Sequence, residues 1–381
     1  MGKVKSASAQ ARDEVKRLMQ CVHGGDVWDI VKENGLTVND LADFSSSINP
    51  LGPSPRALEA IKNCLNQLPL YPDTNSMALR EAIASHFGGI CKDNVIVGNG
   101  STELIYMFAD VFLQKGDVAL IAAPSFGEYA IAVVKSGGEP KLVKLNRNFQ
   151  VKPEVFVKEM SVAKAVFLCN PNNPTSMLIP QDALVEIVEK ALDEDVVVFL
   201  DEDFIEFVED EQAYSLVKRL GKYPNVFVSR TFTKFYALTG LRIGYGVADQ
   251  ETIEVFSRAK MPWNVNSLAQ AAAVAALSDE DHSRKTLELV KTEKTFLSYE
   301  LARIKGFRVF PADTNFIFID VRKSGLTASE LKTKMIAHGV LVRDCSSFTG
   351  LDGFYVRVAV KTRGENEKLL DSFRKVLKLA S

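Results

Sequence analysis

Short apolar runs separated by amphipathic stretches organise this chain. Val95–Val97, Ala119–Ala122, Lys141–Leu145, Ala165–Leu168, Val196–Leu200 and Asn225–Val228 have the length of strands. Val196–Leu200 is apolar throughout, as strands covered on both faces of a parallel sheet are. Leu241, Ile243 and Tyr245 alternate with Arg242 and Gly244 like one more strand. Helical stretches lie between these runs: Met77–Phe87, a helix opened by Gly98-Asn99-Gly100-Ser101-Thr102-Glu103 and running to Phe112, another from Tyr129 to Lys135, and Asp182–Leu192. Repeated strand–helix units specify a mostly parallel sheet flanked by helices, with ligands bound at the carboxyl ends of the strands.

The pattern changes on either side of this block. Before it come a short polar helix over Ser8–Gln20, a break at Cys21-Val22-His23-Gly24-Gly25-Asp26, a Ser/Asn/Pro loop from Asp43 to Pro55, a helix over Arg56–Leu68 and a turn at Leu70-Tyr71-Pro72-Asp73. After it come an Ala-rich helix at Leu268–Leu277, a long amphipathic one over His282–Ile304, strands at Phe307–Phe310, Asn315–Val321, Val340–Arg343 and Phe354–Val360, and helices at Ala328–His338 and Glu365–Leu379. The expected division is a large α/β domain over 71–281, a smaller α+β domain over 282–381, and an N-terminal segment, 1–70, that carries site loops and packs with the small domain.

Composition narrows the function. A chain of 381 residues with net charge −2 has no basic excess to draw it to nucleic acid or an anionic membrane, so any anion must be gripped locally. Five scattered cysteines without a Cys-x-x-Cys pair fit a reduced, cytoplasmic setting, and four histidines without helical metal-pair spacing argue against a catalytic metal. No apolar run follows Lys3 and Lys5 as in a signal peptide, and none is long enough to span a bilayer.

The candidate chemistry gathers at strand ends. In Ser229–Tyr245, Lys234 follows Thr231 and Thr233 and precedes Arg242; held in a partly apolar site, its amine loses hydration of the charged form and becomes a nucleophile. The glycine-hydroxyl turn at Gly98–Glu103 presents backbone N–H groups at a helix N-terminus, an anion cradle. Asn170-Pro171-Asn172-Asn173-Pro174-Thr175 is a rigid turn at another strand end. Asp201 closes the most apolar strand, where a carboxylate requires a cationic partner: a metal, a basic side chain or a protonated heterocycle. Arg343 and Arg357 each interrupt an apolar strand, facing either solvent at an edge or an anionic ligand.

Together these residues are what pyridoxal phosphate requires, and from about His23 to Leu377 the chain resembles the fold-type I pyridoxal-phosphate enzymes of the class I/II aminotransferase group. That resemblance implies an aspartate-aminotransferase-like fold and pyridoxal 5′-phosphate as cofactor. It makes Lys234 the cofactor lysine and Asp201 the partner of the ring nitrogen. Asn173 would donate to the ring hydroxyl and Phe126 stack on the ring. Ser101, Thr102, Thr231, Thr233 and Arg242 would hold the phosphate, with Tyr71 reaching in from the second subunit of a homodimer.

Within the group, NPNNPT, LDEDFIEF and VRVAVKTRGENEKLL are similar to the histidinol-phosphate aminotransferase and threonine-phosphate decarboxylase families. The His23-Gly24-Gly25 stretch, Phe204 in place of a tyrosine, and LVRDCSSFTGLDG at Leu341–Gly353 favour the decarboxylase. Asp26 departs from its usual Asn, and Asp203 stands where the relatives place alanine. The expected substrate is a small phosphorylated amino acid, L-threonine O-3-phosphate. Arg343 and Arg357 are expected to anchor its phosphate and carboxylate, and His23, Gly24, Gly25, Asn49 and Asn173 to contact it. The aminotransferase reaction and a serine-phosphate decarboxylase are the alternatives. A pyridoxal-phosphate-fold gene regulator is disfavoured, because the N-terminal segment is too short and too weakly basic for a DNA-reading module.

Overall fold

The computed structural model describes residues 6–18, 20–25 and 27–378. Met19, Asp26 and Leu379, which bounded or lay within expected elements, and Lys3 and Lys5 fall outside the described residues. A two-residue strand, β1 (Ala42–Asp43), precedes the central sheet. That sheet contains β2 (Val95–Gly98), β3 (Val118–Ala123), β4 (Glu139–Lys144), β5 (Ala165–Cys169), β6 (Val197–Asp201), β7 (Val226–Thr231) and β8 (Gly244–Val247), in the order β2-β8-β7-β6-β5-β3-β4. Strands β4, β3, β5, β6 and β7 run parallel, and β8 opposes both of its neighbours. The sheet is therefore mostly parallel, as the strand–helix repeats imply.

Alternation along the strands gives each face its own core. Val198 and Leu200 of β6 pack with the helices Pro55–Cys64, Met77–Phe87, Gln181–Asp193 and Ser267–Leu277. Phe199, between them, points to the other face, where Ser101–Phe112, Glu128–Lys135 and Gln250–Ala259 lie.

Beyond this sheet, β9 (Arg308–Val309), β10 (Phe316–Asp320), β11 (Val340–Leu341), β12 (Arg343–Asp344) and β13 (Tyr355–Ala359) complete the strands. Four of them form an antiparallel sheet, β12-β13-β10-β9, while β11 pairs in parallel with β1. That pairing, with Phe44 accepting from the Ala359 N–H (2.9 Å), ties the loop after β1 to the C-terminal strands.

Several expected boundaries move for physical reasons. The described residues of Ser8–Gln20 do not form one helix: a 3₁₀ turn at Ala7–Gln10 overlaps its start and one α-turn covers Asp13–Lys16, neither with a buried residue, because a polar segment without an apolar stripe has nothing to pack against. Val340–Arg343 splits at Val342, since its halves belong to different sheets. Arg242 lies outside β8 in the left-handed region, at φ 57° and ψ 75°, and the strand starts at Gly244. The helices Val27–Asn34, Pro153–Glu159 and Gln250–Ala259 were not expected. Among the described residues no helix is long and apolar enough to cross a membrane.

Candidate active site

The carboxyl ends of β3, β5, β6 and β7 and the loops that follow them open onto one cavity of about 410 Å³, and the turn after β2 reaches it through Ser101, which bonds Asp203. Because β8 is antiparallel, the residues that lead into it arrive at the same end, which is how Arg242 joins the site. Of the residues singled out from sequence, His23, Gly24, Gly25, Phe126, Asn173, Asp201, Asp203, Phe204, Lys234, Arg242 and Arg357 line this cavity.

Lys234 follows β7 on a turn between two sheet strands, with its ammonium 5.8 Å from the centre of the Phe204 ring. Burial pulls its pKa down to about 8, and the nearby Arg357 and Arg242 act in the same direction while Asp203 and Asp201 oppose. Asp201 ends β6, accepting from the Tyr129 hydroxyl (2.5 Å) and the Asp203 N–H (2.9 Å). Desolvation nevertheless holds its pKa up at about 6. A buried carboxylate with two hydrogen bonds but a raised pKa is short of a cation, and a protonated ring nitrogen would supply one.

An anion cradle lies beside it. Gly100, at φ 83°, caps the helix that Ser101 and Thr102 begin. A Cβ on Gly100 would fall 2.5 Å from the Arg242 guanidinium, and one on Gly244 would fall 2.6 Å from the Ser101 nitrogen. Both glycines are therefore needed for Arg242 to lie against the turn. The hydroxyls of Thr231 and Thr233 are 2.9 Å apart and buried behind it. Free N–H groups, hydroxyls and a guanidinium in one corner suit a phosphate dianion.

A strap roofs the cavity. A Cβ on Gly24 would meet the Ser45 carbonyl at 2.4 Å, and Gly25 is at φ 87°, so the pair lets the backbone cross the loop after β1. His23 Nε2 is 2.8 Å from Glu128, which also accepts from the Tyr106 hydroxyl at 2.5 Å. The donor atoms of Cys21, His23 and Glu128 lie within 4.8 Å of one another, but these hydrogen bonds already satisfy the carboxylate. Arg357 reaches the cavity from β13: its guanidinium donates to Asn173 Oδ1 and to the Ser45 carbonyl (2.8 Å), and its Nε is buried without a partner.

Two residues expected to contact substrate make their bonds within the protein in this structure. Arg343 donates to the carbonyls of Val22 (2.6 Å) and His23 (3.1 Å) and to Ser347, so its guanidinium anchors the strap from behind. Asn49 donates to the Phe235 carbonyl and Thr286 hydroxyl, both at 2.8 Å, and accepts from the Leu51 N–H, while its own N–H donates to the Lys234 carbonyl at 3.0 Å. Its polar atoms are used within the protein, and it braces the turn that carries Lys234. Tyr71 is 78% exposed and stacks on Trp263 at 4.4 Å, away from this chain's own cavity. Sequence reading missed Tyr129 and Glu128, whose partners lie on other elements.

The family of aminotransferases of class I and II matches residues 35–373. The chain belongs to that family. This class I/II aminotransferase chain is 35% identical over 359 residues to the histidinol-phosphate aminotransferase of Methanosphaera stadtmanae, covering 93% of this chain and 96% of the relative. It is 37% identical over 364 residues, 95% of each chain, to a protein of Caldanaerobacter subterraneus subsp. tengcongensis provisionally named a threonine-phosphate decarboxylase. The crystal structure of L-threonine-O-3-phosphate decarboxylase from Porphyromonas gingivalis superposes with a TM-score of 0.78 at 27% identity, covering 88% of this chain and 99% of that one. The fold is aspartate-aminotransferase-like, and the cofactor of the family is pyridoxal 5′-phosphate, for which the desolvated Asp201, the buried amine and the anion cradle form a fitting set of groups.

Proposed function

We propose that this aminotransferase-family chain decarboxylates L-threonine O-3-phosphate to (R)-1-amino-2-propanol O-2-phosphate, a step of cobalamin biosynthesis. The observation that carries the phosphate-ester class is a second group of anion-binding donors. Beyond the cradle around Arg242, the cavity holds Arg357 with an unpartnered Nε and, on the strap that crosses beside it, His23.

Lys234 would carry pyridoxal phosphate, Asp201 would face its ring nitrogen, Phe126 would cover the ring and Asn173 meet its hydroxyl. Ser101, Thr102, Thr231, Thr233 and Arg242 would hold the phosphate. Bound there, the cofactor withdraws electrons from the substrate Cα, so the bond held perpendicular to its ring is the one that breaks. The chain chooses that bond by orientation. Arg357 fixes one anionic group of the substrate, the strap bearing His23 closes over the other and keeps water out, and Lys234, with a pKa of about 8, can hold or release a proton close to neutrality.

Phe204 supports decarboxylation over transamination, because it gives the cofactor edge no hydroxyl where the aminotransferase relatives carry tyrosine; its ring packs on Phe316 at 4.9 Å. The names of the relatives support the second reading. Histidinol-phosphate aminotransferases predominate among them, with others aligning at 30–36% identity, and their substrate also bears a phosphate ester. Carbon dioxide release from threonine phosphate, with serine phosphate alongside, tests the proposal. Glutamate formation from histidinol phosphate and 2-oxoglutarate without such release would transfer it to the aminotransferase reaction.

The proposal includes a homodimer. Leu68, Leu70, Tyr71, Met261 and Trp263 are all exposed on one side, with Tyr71 stacked on Trp263, and a second copy would bury them and bring its Tyr71 toward the cradle.

A further inference from the structure

Asp203 puts a second carboxylate in a cavity whose proposed chemistry needs only Asp201. It is contiguous with both neighbouring devices. Its N–H donates to Asp201 Oδ1 at 2.9 Å, and its Oδ2 lies 2.6 Å from Ser101 Oγ at the start of the cradle helix. Its Oδ1 is buried with no partner.

The groups that face it come from every side. Asp201 and Cys169 approach from the ends of β6 and β5, Glu206 from the turn that follows, and Lys234 from the β7 turn. Arg242 and Arg357 line the same cavity and act on Lys234. Burial and the Asp201 charge both push the Asp203 carboxyl well above its ordinary range, opposed by the Ser101 hydrogen bond and by Lys234.

The hydrogen-bond inventory turns this placement into a function. A serine hydroxyl has one proton to give and two lone pairs to receive with. If Asp203 is ionised, Ser101 spends its proton on that carboxylate. If Asp203 is neutral, it can donate to Ser101 Oγ, and the serine proton becomes free for a phosphate oxygen. An ionised Asp203 would also stand as a like charge beside a phosphate dianion in a site of low dielectric.

We propose that Asp203 is a proton-gated positioning residue for the cofactor: neutral, it hands the Ser101 hydroxyl to the cofactor phosphate; ionised, it takes that hydroxyl back and repels the phosphate. Cofactor retention therefore weakens as pH rises through the ionisation of Asp203. The inference rests on reading the cavity as a pyridoxal-phosphate site, and it gives a role to a carboxylate at a position where the family resemblance implies alanine.

The test is the dissociation constant of pyridoxal phosphate, read from visible absorbance at equilibrium in the full-length protein, wild type against Asp203→Asn and Asp203→Ala. As pH rises across the range in which the fold stays intact, the wild-type constant should rise by roughly tenfold or more relative to both variants. Changes in the cofactor itself are shared by all three proteins and cancel in the ratio; because Asp203 also raises the Lys234 pKa, the ionisation of that amine is titrated in each protein and divided out before the constants are compared. Should Asp203→Asn fail to fold, Asp203→Ala carries the comparison, since it removes the carboxyl group and adds no polar atom. Parallel pH profiles in wild type and variant, with the cofactor bound normally, would overturn this inference alone. Failure of the wild type to bind the cofactor at any pH would overturn it together with the reading of the site.

Discussion

Asp201 and Glu202 are consecutive residues with opposite fates. Asp201 ends β6 and Glu202 follows it; they point to opposite faces of the sheet, so each is buried among charged groups of its own. On one face, Glu202 pairs with Arg230 at 2.9 Å, and Ser215 and the Leu216 N–H complete its hydrogen bonds. Arg230 is 1% exposed and lies over the Phe87 ring. On the other face, Asp201 and Asp203 share a cavity with Lys234, and between them the carboxyl groups leave an oxygen unpartnered. In the first cluster the Glu202–Arg230 pair is closed directly, although Glu206 beside it keeps two unpartnered oxygens. The second holds cation and anions around open space, and a ligand is what completes it. Neither burial of charge nor an unpartnered oxygen alone marks a functional site, as Glu206 shows; unfinished pairing around an open cavity does.

The comparison can be broken from its closed side first. Arg230→Met removes the cation that Glu202 depends on and should cost about 3–5 kcal/mol of stability, seen as a lowered denaturation midpoint. Asp201→Asn should do the reverse. It should lower turnover by roughly 10²–10³-fold, while thermal stability holds or rises, because a desolvated carboxylate no longer needs to be kept. If Asp201→Asn unfolded the protein as Arg230→Met does, the two clusters would not differ in kind.

A smaller effect separates Glu206 from its neighbours. It lies 3.8 Å from Arg230 with both oxygens unpartnered, and burial raises its pKa from 4.5 to about 8. Between those values the folded chain keeps a proton that the unfolded chain gives up, so stability falls as pH rises through that window, by up to about 1.4 kcal/mol per pH unit. Glu206→Gln should flatten that slope in pH-dependent melting. The smallest effect concerns the strap. Arg343→Met should raise KM by roughly tenfold, equivalent to about 1.4 kcal/mol, with kcat and melting temperature nearly unchanged, since it loosens the segment over the substrate and leaves Lys234 and Asp201 in place.

The parts legible in the sequence were those fixed by local pattern. An apolar strand ending on Asp201, glycines and hydroxyls opening a helix at Ser101, and a lysine after a buried strand each carry their meaning within a few residues. The strand–helix alternation likewise gave the sheet, although the helix Gln250–Ala259, with its Asp249 cap on the Glu251 and Thr252 N–H groups, was missed despite a readable start signal. What stayed hidden depends on distant partners. Asn49 and Arg343 were expected to touch substrate, yet their bonds run to Phe235 and Thr286 and to Val22 and His23, contacts that no spacing in the chain reveals. Tyr129 was hidden for the same reason, since only the packing of its helix against the sheet brings its hydroxyl to Asp201.

The account stands most directly on the covalent fate of one amine. Purified protein should be loaded with pyridoxal phosphate, reduced with borohydride, digested and mapped by mass. A single pyridoxyl group on Lys234 is the predicted result. Label distributed over surface lysines, or none on Lys234, would contradict the account.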